Sequence, residues 1–571
     1  MKPPVLSLLA VLTALVVIAA AAMYPGGASE RVSSFDLLIV GGRVMDGTGN
    51  PWYSADVGIR DGRIAAIGKL AAGRAKRTID ARGQVVTPGF IDMLGQSEIT
   101  LLVDGRAESK IRQGITTEFT GEGGSVAPQN EKTLPEFQES LNAYGVKADW
   151  RTLAEYFARL ERQGTAINLG TNVGAEQVRR AVLGSENRAP TSAELAEMKR
   201  LVAEAMEQGA RGVSTALVYA PGTYAKTDEL IELARAASSY GGIYSSHIRN
   251  EGTEILEALD EAFRIGREAR IPVHIYHLKV AGKPVWGRMP EAISRIERAR
   301  AAGLEVTADM YAYLAGATSL GASLPPWALE GGLEKTLARL RDPAQRERMK
   351  AEMSKPAQSW QNFYYVAGGA ENVLISFVAN EMLRPLQGKR LSEAARLRGQ
   401  EPLDALFDIL IADRLQTGAI YFLMDEADVE RGVPQPWMSF GCDAEAVRPD
   451  GLLGKYRPHP RAYGNFPRLL AHYVRERHLV PLEQMIRKMT SLAAQTMRVE
   501  DRGLLKPGMW ADVLVFDFAR VRDLATYENP HQFSEGMRYV IVNGQLVLDD
   551  GRMTGALPGQ VLRGPGYRPR Q

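Results

Sequence analysis

Eight short apolar segments, most of them followed by a stretch with helical spacing, constrain the fold of this chain more than any other feature. They lie at 85–93, 114–122, 165–174, 212–220, 242–249, 273–280, 305–313 and 437–444. Patterns such as SAELAEMKRLVAEAMEQG and TDELIELARAASSYGG, apolar every three or four residues, separate many of them. Strand–helix alternation builds parallel sheet, and eight repeats predict an α/β fold of the (β/α)8, TIM-like barrel type. A doubly wound open sheet is the alternative.

The flanks read differently. Residues 35–87 and 500–555 are rich in strands and turns, with hairpin signals at Asn543-Gly544 and Asp550-Gly551. Neither piece is large enough for a core of its own, so one composite β-sandwich built from both ends is expected, with the barrel over 88–499. The glycines at 47 and 49 precede no helical pattern and mark a turn rather than a nucleotide loop. The run from about 321 to 430 is too long for one connection and reads as an inserted subdomain. Residues 556–571, rich in Gly, Pro and Arg, are expected to form a flexible tail.

Residues 1–28 start with one lysine, continue with a long apolar run and end in small residues, as an export signal does. The run is also near membrane-spanning length, so an uncleaved N-terminal tether is the alternative. Either way the chain is expected in the periplasm or secreted. A formal net charge of +2 and the lack of a basic stripe exclude a nucleic-acid partner. Cys442 is the single cysteine, so no intramolecular disulfide can form.

Only seven histidines occur, and two of them, His247 and His277, end consecutive strand-like segments. In a β/α barrel the C-terminal ends of strands converge on one site. The same rim collects Gln96, Glu122, Tyr219, Lys279, Tyr311 and Asp443. Glu122 lies in TGEGGS, where glycines let the backbone bend around an exposed carboxylate. One carboxylate and two imidazoles, here Glu122, His247 and His277, make a catalytic zinc set with a position left for water. Asp443, on the eighth segment, is placed to move protons between that water and a leaving amine.

These motifs resemble the amidohydrolase superfamily and, within it, the D-aminoacylase branch, the N-acyl-D-amino-acid deacylases. The likeness runs through VGGRVMDGTG, TPGFID, STALVYAPGTYAKTDELIELA, YSSHIRNEG, HIYHLKVAGK, VTADMYAY, HPRAYGNFPRLLAHYVRE, KMTSLAAQ and RGLLKPGMWADVLVFD, and covers nearly everything after residue 35. It implies hydrolysis of a linear amide on the nitrogen of a D-amino acid or short D-residue peptide. His247 and His277 match metal ligands, and Asp443 matches the acid/base. Tyr219 matches a tyrosine near the reacting carbonyl, while Lys279, Tyr311 and Arg461 match the grip on the substrate carboxylate. Other expectations are a cyclic-amide or other C–N hydrolase of the superfamily, or a barrel that binds ligands without catalysis.

Three departures stand out. Leu94 and Gln96 occupy the places of a His-x-His pair, which favours one divalent ion over two. Glu122 stands, with a one-residue gap, where relatives carry a cysteine ligand. A carboxylate there keeps the charge but hardens the site, so manganese or iron joins zinc as a candidate. Ala317 replaces a serine found in some relatives.

Overall fold

The computed structural model describes residues 35–70 and 75–569; the expected export segment, 1–28, lies outside the described residues. Eight parallel strand positions form the centre: Phe90–Asp92, Ile115–Thr120, Asn168–Thr171 with Val173–Gly174, Gly212–Ala216, Ile243–His247, Val273–Ile275, Val306–Met310 and Met438–Phe440. The third is broken at Asn172, so its first part pairs with the second strand and its last part with the fourth. Met93 N–H donates to the Phe440 carbonyl (3.1 Å) and Gly95 bridges Ala444, which joins first strand to eighth. The sheet is therefore closed, and the open doubly wound alternative falls.

These strands are short and buried at nearly every position, as strands covered on both faces must be. Their outer side chains pack on a ring of amphipathic helices. Ser192–Gln208, for example, starts at a Thr191/Glu194 capping box, ends at Gly209 (φ 114°), and buries Met198, Val202 and Met206. Val213, Tyr244 and Ile275 from the strands and Leu259, Phe263 and Ile296 from the helices share one core.

The candidate segment 85–93 is two elements rather than one. Val85–Pro88 pairs with Val513–Phe516 and belongs to the flanking sheet, while Phe90–Asp92 opens the barrel. The break falls at Gly89, where any Cβ would come within 2.0 Å of Thr116. The flanking sheet contains nine strands drawn from both chain ends, joined through Val85–Pro88. Its separate core holds Leu37, Val57, Ile59, Val513, Val515 and Ile541.

The insertion begins earlier than 321. Ala315–Ser319, Gly418–Phe422 and Val373–Phe377 form a three-stranded antiparallel sheet. The first of these, AGATS, has no apolar run to announce a strand; pairing with Gly418–Phe422 makes it one. The expectation of a flexible tail is corrected as well. Gly559 N–H donates to Thr165 O (2.7 Å), Leu169 N–H to Gln560 O (2.9 Å) and Leu562 N–H to Leu169 O (2.7 Å). Its composition hid this, because backbone groups, not side chains, make the bonds.

Candidate active site

Glu122 follows the second strand after Gly121, whose φ of 86° and approach to Asn172 O leave no room for a Cβ. His247 is the last residue of the fifth strand, and His277 lies just past the sixth. From these three elements Glu122 Oε1 sits 2.8 Å from His247 Nδ1 and 2.9 Å from His277 Nε2. One ligand atom from each of the three lies within 4.8 Å of the others, with both imidazoles buried. This donor set fits a divalent cation. Burial raises the Glu122 carboxyl, but His277 and His247 outweigh it and hold the group well below the usual range. For His277, burial and Lys279 act downward, yet Glu251 and Glu122 lift it to about 10. Two carboxylates around two imidazoles thus give the centre a field that favours positive charge.

A second layer of side chains holds these three in place. Glu251 Oε1 lies 3.1 Å from His277 Nδ1 and pairs with Lys279 Nζ, which is itself 2.8 Å from that imidazole nitrogen. Burial works against the Glu251 carboxylate, but Lys279, His247 and His277 keep it ionised at neutral pH. Asp309 Oδ1 accepts the His277 N–H (3.0 Å), and its Oδ2 lies 2.8 Å from His274 Nε2.

Asp443 stands opposite. Its N–H donates to Leu94 O (2.7 Å), its Oδ2 meets Arg461 Nη2 at 2.8 Å, and its Oδ1 accepts from Gln96 Nε2 at 3.3 Å. Burial pushes its carboxyl up, with Arg461 and His277 pulling the other way. On either side, Cys442 N–H donates to Asp92 Oδ1 (2.8 Å) and Lys110 Nζ to Ala444 O (2.7 Å), while Lys110 also pairs with Asp92 at 2.8 Å. The loop that presents Asp443 is therefore tied to a buried ion pair.

Arg461 packs over the Tyr311 ring at 4.5 Å, and its Nε and Nη1 and the Tyr311 hydroxyl are buried with no hydrogen-bond partner among the described residues. The Tyr219 ring packs edge-on to His247 at 5.3 Å between centroids, and burial drives its hydroxyl pKa well above 10.

The candidate site residues Glu122, Tyr219, His247, His277, Lys279, Tyr311, Asp443 and Arg461, with Gln96 of the same rim, line one cavity of about 450 Å³. The insertion supplies part of its wall through Ala317, Phe377 and Tyr421. Lys279 differs from the expectation in one respect: its Nζ pairs with Glu251 and lies 2.8 Å from His277 Nδ1, so its ammonium is already engaged within the site. Arg249, two residues beyond His247, turns away to Glu261 (2.8 Å). Sequence reasoning missed Glu251 and the Asp92–Lys110 pair. Glu251 lies in the loop just after the fifth strand, four residues beyond His247, and its Oε2 comes 3.6 Å from His247 Nε2.

A profile of the amidohydrolase family matches residues 376–548. The D-aminoacylase of Alcaligenes xylosoxydans xylosoxydans is 38% identical over 92% of this chain and 97% of its own length. Two solved structures superpose over 93% of this chain and all of theirs. One is a D-aminoacylase studied for its binuclear metal centre, with one-metal activation and second-metal attenuation (TM-score 0.77, 36% identity). The other is the N-acyl-D-glutamate deacylase of Bordetella bronchiseptica, bound to zinc and a phosphonate mimic of the tetrahedral intermediate (TM-score 0.76, 35% identity). The chain belongs to the D-aminoacylase branch of the amidohydrolases.

Proposed function

We propose that this chain deacylates N-acyl-D-amino acids or short D-residue peptides by metal-assisted hydrolysis of a linear amide. One observation carries the reading: a single cavity holds a three-donor centre, the facing carboxylate of Asp443, and a buried arginine with two unspent donors. The relatives support the substrate class, since those compared are named D-aminoacylase and N-acyl-D-glutamate deacylase.

Glu122, His247 and His277 would hold the ion, zinc by the relative's precedent. When bound, such an ion supplies Lewis acidity for a carbonyl and lowers the pKa of a water. Asp443 takes the proton from the attacking water and returns it to the amide nitrogen, so the C–N bond breaks to release a neutral amine. Its burial strengthens it as a base. Tyr219 keeps its phenolic proton at neutral pH and can donate to the carbonyl oxygen as charge develops there. Arg461, beside Tyr311, is fitted to the substrate carboxylate, because a buried guanidinium with free N–H groups is stabilised by a planar anion. A cyclic amide, which has no free carboxylate, would leave those donors unpaired.

The test compares an N-acetyl-D-amino acid, its L enantiomer and the D compound with its carboxylate blocked as an amide. The free D acid should be turned over best. Blocking should lower kcat/KM about 10- to 100-fold, the cost of leaving a buried charged donor unpaired. Equal rates for acid and blocked compound, or a preference for cyclic amides, would refute the assignment.

A further inference from the structure

We infer that Gln96 is a positioning residue that fills, with a neutral amide, the place between Glu122 and Asp443 where a second cation would bind, and so limits the centre to one ion. The inference rests on the metal-dependent reading above. Gln96 Nε2 lies 2.7 Å from Glu122 Oε2 and 3.3 Å from Asp443 Oδ1. An amide nitrogen carries two hydrogens and no free lone pair, so each hydrogen serves one carboxylate. The reverse orientation would set the amide oxygen against two anions.

The backbone holds the side chain in this bridging position. Gln96 N–H donates to Ala444 O (3.2 Å), the residue after Asp443. On either side of it, Gly95 N–H donates to Phe119 O (2.7 Å) and Ser97 N–H to Glu118 Oε1 (3.0 Å). The Gln96 Cα is thus tied to the strands that carry both carboxylates.

Each carboxylate keeps its other oxygen for a different partner. Glu122 Oε1 faces the imidazoles, and Asp443 Oδ2 faces Arg461. Two carboxylate oxygens converging on one point are the donors a hard divalent cation would bridge. Here N–H groups of Gln96 take those lone pairs. The amide holds the two anions together without the charge that would draw Asp443 away from proton transfer. In the compared D-aminoacylase the second metal attenuates activity; Gln96 would remove that control from this chain.

The experiment is zinc stoichiometry by mass spectrometry on the full chain after dialysis against excess zinc, with kcat and KM in parallel. Wild type should hold one equivalent and keep its kcat in excess zinc. Gln96→Ala should take up a second equivalent and lose kcat about 10- to 100-fold as it does so, with KM little changed and recovery on removing that equivalent. Gln96→Met, similar in size and without N–H donors, repeats the comparison if the alanine variant folds poorly. Two equivalents in wild type, or one equivalent and unchanged kcat in both variants, would overturn the role of Gln96 while leaving the deacylase reading standing. A wild type with no bound metal would overturn both.

Discussion

His277 and Asp443 hold backbone angles that residues with a Cβ seldom adopt, with φ of 33° and 47°. Each such conformation costs on the order of 1–3 kcal/mol and persists only where neighbours impose it. Asp309 does so for His277 by accepting its N–H. The Asp92–Lys110 pair does so for Asp443 by gripping the residues on both sides. Asp443→Asn keeps the shape and the Arg461 contact but cannot take a proton. It should retain its metal and lose about 10²- to 10⁴-fold in kcat; near-normal turnover would remove Asp443 from proton transfer. Glu122, His247, His277 and Asp443, which the structure brings to one cavity, stood out because each lies at the end of a strand-like segment. The buried carboxylates that orient them did not, since Asp92 and Asp309 lie inside apolar segments and their partners are distant in sequence.

Among the elements, the third barrel strand relies on a distant piece of chain. Buried backbone groups at Leu169 and, just ahead of the strand, at Thr165 are completed by residues 559–562. Ending the chain at Leu557 would leave them unpaired, at about 1–3 kcal/mol for each buried group that water cannot reach. A melting temperature several degrees lower is expected, and an unchanged one would show that the tail adds nothing. Periodicity located the main strands because covered strands are continuous apolar runs. It could not find Ala315–Ser319, a strand only by virtue of its partner, nor the break at Gly89, which depends on the approach of Thr116.

Across the whole molecule, the barrel buries carboxyl groups that form no ion pair within 4 Å among the described residues. Burial lifts Glu98 and Glu176 to about 7. Glu176 accepts the Ala216 N–H through Oε1, while its Oε2 has no hydrogen-bond partner among the described residues. Both groups hold a proton in the folded chain between pH 4.5 and 7 and lose it in the unfolded chain over that range. Their contribution to stability is thus full below pH 4.5 and is lost as pH rises through about 7. The protein should be less stable at pH 8 than at pH 5, by on the order of 1–3 kcal/mol per group. Glu176→Gln should flatten that slope in denaturant titrations; an unaltered slope would mean that Glu176 does not titrate. At this scale the closed barrel and the shared sheet at the chain ends were legible, because both follow from the order of apolar segments along the chain.

Metal content and turnover should be measured together on wild type and His277→Ala. Wild type should carry about one divalent ion per chain and hydrolyse an N-acyl-D-amino acid, losing activity to a chelator and regaining it with zinc. His277→Ala should fold but carry almost no ion and show almost no turnover. Wild-type activity that persists without metal, or a histidine variant that keeps both ion and rate, would contradict a hydrolase built on Glu122, His247 and His277.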